Sequence, residues 1–162
     1  YEQEGKTNNY GITKGWRGGQ KNYSVQGELR TLGVLENKHI PKPFLVNSTA
    51  NRLRLLAGLL DADGHYNAEF HVFEITQKNE TLARQIKFLC DTLGFKTSIV
   101  IKKATLAERN FESEVWRVRI SGNLEIIPVQ VARKKPRLRT SAIDWRHTGI
   151  TVEADRVDDY YG

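Results

Sequence analysis

The 162 residues amount to about one domain, and 39% hydrophobic with 27% charged residues is close to the globular average, which argues against wholesale disorder. Lys and Arg number 25 against 19 Asp and Glu, so the net charge of +6 favours a polyanionic partner, although a basic structural protein would carry the same charge. The single Cys90 excludes an internal disulfide framework and a Cys-cluster zinc site, and it predicts a reducing intracellular compartment, the cytoplasm or the nucleus. The longest apolar run, the six residues Leu55 to Leu60, is too short to span a bilayer.

The first part of the chain predicts little regular structure. Five glycines in residues 1–23 indicate a loop with one short strand, and Ser24 is a candidate N-cap for a short amphipathic helix that ends near Gly33. Two prolines make residues 38–43 an extended linker, because proline fixes its own φ and restricts the residue before it. The chain begins at Tyr1 and contains no Met, so we expect it to be a piece of a longer protein.

From residue 48 onward, the hydrophobic patterns predict the element order αββαββα. The first helix should end at Gly64, where we expect a left-handed residue, and the charged loop that contains Arg109 should join two later strands. The predicted elements are a helix capped by Asn47 or Ser48, a bulged strand from Asn67 to Gln77, a helix from Glu80 capped by Asn79 and stopped by Gly94, strands Phe95–Lys103 and Glu114–Ile120, a short helix from Leu124 to about Val131 kinked at Pro128, and a last strand over 150–157.

Two carboxylates stand at the C-terminal end of the first of these helices. Asp61 and Asp63 lie where the helix dipole is already negative, so local physics disfavours them and a divalent-cation site would explain them. An ordinary turn is the alternative, since Asp-x-Asp-Gly sequences are common in turns. An EF-hand loop that starts at Asp61 is excluded, because Tyr66 and Val72 occupy the positions that require Gly and Glu.

The segment that contains these acids resembles a known family motif. Residues 56–64 read Leu-Ala-Gly-Leu-Leu-Asp-Ala-Asp-Gly and match eight of the nine letters that name the LAGLIDADG homing endonucleases, with Leu60 in place of Ile. The lead-in over 37–44 and the closing residues 158–162 are similar to the intein-encoded, DOD-type branch, in which the chain returns to a protein-splicing domain.

The resemblance implies an α+β fold. Each αββαββα half of the family carries a saddle-shaped antiparallel sheet that lies in the major groove of DNA, and two halves pack through their motif helices. In this chain the residues implied for that helix interface are Leu56, Ala57, Gly58 and Leu60. The implied organisation is the end of a first half and a linker over 1–47, a second half over 48–145, and the start of a returning splicing-domain segment over 146–162.

The resemblance also implies the catalytic residues. Asp63 would hold Mg²⁺ or Mn²⁺ with the backbone carbonyl of Ala62, whereas Asp61 would hold the helix end. Lys135 would be the catalytic lysine with Lys134 as its neighbour, and a solvated basic loop is the alternative for this segment. Because two-metal hydrolysis needs an acid from each half, the second acid would lie upstream of Tyr1.

Strand alternation suggests which side chains contact DNA. Arg117 and Arg119 fall on one side of their strand and Trp116 and Val118 on the other, so the arginine side suits guanine edges or phosphates. His65 and His71 are expected to be surface or DNA-contact residues. The full set of expected DNA-binding residues is Lys78, Lys96, Lys102, Lys103, Arg117, Arg119, Lys134 and Arg137.

The predicted function is therefore a site-specific, metal-dependent endonuclease of double-stranded DNA. We expect the first LAGLIDADG half and the splicing domain to act with this chain in cis, and the chain alone to be inactive. Neither the Cys or Ser nor the His-Asn that protein splicing requires at the intein ends is present. A non-cleaving DNA- or RNA-binding relative and a decayed endonuclease insert in a splicing element remain alternatives.

Overall fold

A computed structural model describes residues 25–106, 111–139, 147 and 149–153. The expected loop over 1–23, the Ser24 cap, the loop at Arg109 and the second half of the strand predicted over 150–157 lie outside these residues. The first half of that strand, residues 150–153, is described and does not form a strand. The described elements are helices α1 (Val25–Thr31), α2 (Lys42–Leu45), α3 (Thr49–Asp63) and α4 (Glu80–Thr92), strands β1 (Gly64–Asn67), β2 (Val72–Gln77), β3 (Lys96–Leu106) and β4 (Phe111–Ser121), and 3-10 turns at Leu124–Ile126 and Ala132–Lys134.

The strands form one antiparallel sheet in the order β1-β2-β4-β3. Helices α3 and α4 contact this sheet and each other, and they cover one of its faces. The predicted α+β class with an antiparallel sheet is confirmed. Within the part of the chain that the structure describes, no helix is long and apolar enough to cross a membrane.

The two long helices begin at the predicted caps. Ser48 Oγ accepts a hydrogen bond from the Asn51 backbone N–H at 3.4 Å, and Asn79 Oδ1 accepts one from the Leu82 N–H at 3.0 Å. These bonds satisfy N–H groups that have no partner within the helix. Gly94 follows α4 with a φ of 83°, as expected of a glycine that stops a helix.

Gly64 ends α3 for a different reason from the predicted one. Its φ of −79° and ψ of 154° are extended rather than left-handed, so any residue could adopt this backbone conformation. A Cβ at this position, however, would lie 2.7 Å from the Leu60 carbonyl oxygen and 2.8 Å from the Leu60 Cα. Glycine is required here because the chain turns from α3 into β1 directly against the last helical turn.

Three further elements differ from the sequence expectation. The linker over 38–43 contains the start of α2, because Pro43 lies in the first turn of this helix, where its missing N–H costs nothing. The strand predicted over 67–77 is shorter, β2 at Val72–Gln77, and a turn precedes it; β1 at Gly64–Asn67, which was not predicted, pairs with β2 as a hairpin. The helix predicted from Leu124 is only a 3-10 turn, and the chain runs extended past Pro128.

The core lies between the helices and the covered face of the sheet. Leu56 and Leu60 of α3, Ile86 of α4, Phe73 of β2 and Val118 of β4 have no solvent exposure. Cys90 is buried among them, and burial raises the pKa of its thiol, so it is a packed core residue, as its position beside the apolar stripe suggested.

His71 is buried rather than a surface residue. It has a φ of 52° in the β1–β2 turn, and its Nδ1 lies 2.9 Å from the Tyr66 hydroxyl. Burial lowers the pKa of His71, and the positive charge of Arg139 lowers it further. The Tyr66 hydroxyl also accepts a hydrogen bond from the Arg137 backbone N–H at 3.3 Å, so this pair links the β1–β2 hairpin to the basic segment, residues 133–137.

The close approach at Gly64 gives a stability prediction. Gly64→Ala should destabilise the chain by about 1–3 kcal/mol, because the new methyl group meets backbone atoms that cannot move aside. Gly58→Ala is the matched control: no atom lies within 4 Å of its Cβ position, and alanine should stabilise the helix by about 0.5–1 kcal/mol. Urea unfolding of both variants measures this, and equal effects of the two substitutions would contradict it.

Candidate functional site

The two acids at the end of α3 have different surroundings. Asp61 Oδ2 accepts the Gln130 backbone N–H at 2.8 Å, and Asp61 Oδ1 accepts the Val131 N–H at 3.1 Å. Both carboxylate oxygens are therefore used to fix the segment that follows the sheet. Charge-assisted bonds of this kind stabilise by about 1.5–3 kcal/mol each.

Asp63, in contrast, is exposed. It is the last residue of α3, and its Oδ2 accepts one hydrogen bond, at 3.2 Å, from the Gln77 side chain at the end of β2. This bond comes from a flexible side chain rather than from the backbone. Asp63 is thus the acid of the pair whose carboxylate is accessible to a ligand.

Lys134 is buried against the same helix end. Its side chain lies in the second 3-10 turn and is 5% exposed, and Nζ donates to the carbonyl oxygens of Leu60 and Asp61, each at 2.8 Å. The last carbonyls of a helix lack intrahelical partners and carry the negative end of its dipole, so an ammonium group is well suited to this position. This placement disfavours Lys134 as a phosphate ligand, because both bonds already hold its charge inside the protein.

The neighbouring cations of the basic segment point to solvent. Arg133, Lys135 and Arg137 are all exposed, although they flank a buried lysine. Of the two lysines considered for catalysis, Lys135 is therefore the one with an accessible ammonium group.

The donors at the helix end fit a hard divalent cation in part. Lys134 bonds the carbonyls of Leu60 and Asp61, so Ala62 is the next helix-end carbonyl, adjacent to the exposed Asp63 carboxylate. Oxygen donors of these two kinds suit Mg²⁺ or Mn²⁺. Among the described residues, no three His, Cys, Asp or Glu side chains form a group that could hold a metal ion, so further ligands would have to come from elsewhere.

The motif helix has one buried and one open face. Leu56, Ala57 and Leu60, which the resemblance implied for a helix interface, pack instead into the core of this chain, because their spacing of one, three and four residues places them on the same side of α3. The fourth, Gly58, is exposed.

A groove of about 360 Å³ runs beside α3. The half-buried Leu55 and Leu59 supply its α3 wall. Leu29 of α1, Leu32 directly after α1 and Phe44 of α2 are exposed and line the other side. Asp63 and Gln77 also belong to its lining. The accessible carboxylate therefore borders an apolar groove rather than open solvent on all sides.

The sheet face opposite the helices is polar and basic. The strand register pairs Ser98 with Arg119 and Val100 with Arg117, so these side chains share the face that α3 and α4 leave open. Alternation along β3 places Lys96 and Lys102 on the same face, whereas Lys103 falls on the other face near the exposed end of the strand.

Glu74 organises the centre of this open face. It pairs with both arginines, with Arg119 Nη2 at 3.1 Å and Arg117 Nη1 at 3.4 Å, and its side chain is only 16% exposed. Cross-strand pairing to β4 places the three side chains side by side. The arginines are thus held against the sheet, with Arg119 half exposed and available to a ligand.

Sequence reasoning did not find Glu74, the contact of Gln77 with Asp63 or the role of Lys134. Glu74 could have been found from the strand register, since it sits opposite Arg119. Gln77 and Lys134 depend on contacts across 14 and 74 residues, for which the sequence alone carries no periodic signal.

Comparison with known proteins identifies this part of the chain. Residues 50–127 match the family model of the LAGLIDADG-like domain. This region is a LAGLIDADG-like domain. Its bounds run from the first turn of α3 to the end of the first 3-10 turn and so include the sheet, Asp61 and Asp63.

A curated protein also resembles the chain. The replicative DNA helicase DnaB of Mycobacterium intracellulare is 43% identical over 81 residues, which is 49% of this chain and 14% of the relative. The chain thus corresponds to a small part of that relative's length.

Proposed function

We propose that the LAGLIDADG-like domain is one half of a homing endonuclease that binds double-stranded DNA and contributes one acid to a shared metal-dependent site. The main support for this proposal is that Asp61 and Asp63 have different surroundings. Both carboxylate oxygens of Asp61 accept backbone hydrogen bonds, whereas the carboxylate of Asp63 is exposed at the helix end. The Asp63 carboxylate is therefore accessible to a cation, whereas both oxygens of Asp61 are already bonded to the backbone.

In this proposal the chain's own residues bind and orient the reacting groups. Asp63 and the Ala62 carbonyl bind a divalent cation, and Lys135 stabilises charge on the phosphate or assists the attacking water. When bound, the cations of such sites stabilise the attacking and leaving oxygens of a phosphodiester. The remaining acid comes from a second half.

The open face of α3 is the proposed contact for that second half. Gly58 has no neighbouring atom within 4 Å of its Cβ position, so another helix backbone can approach closely there. Leu55 and Leu59 flank it with partly buried apolar surface. Such a contact would bring a second helix end next to Asp63. This interface supports the expectation that the chain alone does not make double-strand breaks efficiently.

The proposed setting is an intein, with residues 1–47, 48–145 and 146–162 as the end of the first half, the second half and the returning splicing segment. The motif and its flanking sequences support this, and so does the similarity to part of a protein named as a replicative helicase. Mg²⁺ or Mn²⁺ is the proposed cofactor, and double-stranded DNA the proposed partner.

The open sheet face gives a DNA-binding prediction. The chain should bind duplex DNA with an affinity that falls about 10³-fold between about 50 and 200 mM salt, as for a protein that makes roughly six phosphate contacts. Arg119→Gln should weaken binding and reduce the salt slope by about 1, because it removes one cation from this face. Fluorescence anisotropy with a labelled duplex measures both quantities.

Arg84→Gln is the matched control for this measurement. Arg84 is an exposed arginine that pairs with Glu80 within α4, on the helical layer rather than on the open sheet face. Its loss should leave the salt slope unchanged. Binding that does not depend on salt, or an equal effect of the two substitutions, would show that the sheet is not the DNA surface.

The metal role gives a second prediction, to be tested in the longer protein that carries both halves. Asp63→Asn should abolish metal-dependent cleavage but leave DNA binding and the melting temperature nearly unchanged, because the exposed carboxylate makes one weak structural bond. Without metal, DNA affinity should stay equal or rise, since a negative charge has been removed near the phosphate.

Asp61→Asn is the control, and it should lower the melting temperature, because an amide cannot replace both carboxylate acceptors. Wild-type cleavage by Asp63→Asn, or unfolding of that variant, would overturn the assignment of the acid. If the unsubstituted longer protein binds DNA but does not cut with any divalent metal, a non-cleaving or decayed domain is the correct reading.

A further inference from the structure

We propose that Lys134 is a positioning residue that holds the last turn of α3 in the conformation in which Ala62 and Asp63 together bind a divalent cation. This inference rests on the proposed metal role of Asp63. It assigns the two lysines of the basic segment separate tasks: Lys134 acts through the helix backbone, and the exposed Lys135 is the one that can reach a substrate.

The contacts of Lys134 lie immediately before the proposed ligands. Its Nζ bonds the carbonyls of Leu60 and Asp61, and the next carbonyl along the chain is that of Ala62. The Leu60 carbonyl also accepts the Gly64 N–H, which closes the helix. The ammonium group therefore fixes two peptide planes directly before the plane that carries the Ala62 oxygen.

Lys134 is itself held in place from α3. Asp61 binds the Gln130 and Val131 N–H groups, and the 3-10 turn that carries Lys134 follows at once. Asp61 thus binds the segment to the end of α3, and Lys134, on that segment, bonds back to the carbonyls of the helix end. A buried ammonium group is costly unless it is fully bonded, so this lysine favours one geometry of the helix end over looser ones.

Two effects of Lys134 on metal affinity, its charge and its positioning of the helix end, predict opposite changes when this lysine is replaced. A positive charge near a cation site repels the cation, so electrostatics alone predicts that Lys134→Met binds metal more tightly. Positioning predicts weaker binding, because groups that hydrogen-bond to metal ligands and orient them typically contribute about 10–100-fold in metal affinity. The sign of the change therefore separates the two explanations.

The experiment titrates Mn²⁺ into the ¹⁵N-labelled 162-residue chain and follows paramagnetic broadening of the amide signals of residues 60–67. Lys134→Met should weaken Mn²⁺ binding by about tenfold or more. Arg133→Met, which removes an exposed charge from the preceding position, should remain within about twofold. Ile86→Val, a core substitution in α4, controls for a general loss of stability and should leave Mn²⁺ binding unchanged.

Each outcome decides one of the two proposals. If the wild-type chain binds Mn²⁺ and Asp63→Asn does not, but Lys134→Met binds as tightly as wild type or more tightly, the positioning role is wrong and the metal role stands. If the wild-type chain shows no broadening that depends on Asp63, the metal role fails, and the positioning role fails with it. If Lys134→Met does not fold, Lys134→Arg replaces it, because arginine keeps the charge but not the compact ammonium group that bonds both carbonyls. Weaker Mn²⁺ binding by this variant would support the positioning role, and unchanged binding would overturn it.

Discussion

The C-terminal end of α3 is fixed by a reciprocal set of hydrogen bonds to the segment that follows the sheet. Asp61 accepts two backbone N–H groups from residues 130 and 131, and Lys134 donates to two carbonyls of α3. The carboxylate of α3 thus bonds backbone N–H groups of the segment, and the ammonium group of the segment bonds backbone carbonyls of α3. The contacts span about seventy residues, so they also close the chain around the sheet.

This arrangement explains how an acid can remain exposed at an unfavourable place. The negative end of the helix dipole disfavours both carboxylates, but the buried Lys134 ammonium offsets that field at the last turn. Asp61 is then free to bind backbone N–H groups, and Asp63 stays accessible beside the apolar groove. On the other side of the sheet, Glu74 holds two arginines in place. The helix end and the basic sheet face are thus ordered by separate pairs of charged groups.

Local patterns predicted most of the fold, and long-range contacts account for what they missed. The caps at Ser48 and Asn79 and the stop at Gly94 follow from residue type and spacing, and the structure has them. The reason for Gly64 could not be predicted, because it depends on how closely β1 approaches Leu60. The roles of Asp61 and Lys134 likewise depend on a contact across the whole domain. The resemblance implied separate tasks for the two acids, but the partners that Asp61 binds, the backbone N–H groups of residues 130 and 131, follow only from the fold.

A double-mutant cycle of Asp61→Ala and Lys134→Met tests the reciprocal contact most directly. The free energy of unfolding, measured in urea for the wild type, both single variants and the double variant, gives the coupling between the two side chains. If the bonds form one unit, the second substitution costs less than the first, and the coupling should be at least about 1 kcal/mol. Effects that add within about 0.5 kcal/mol would show that the two sides act independently, which would contradict this account.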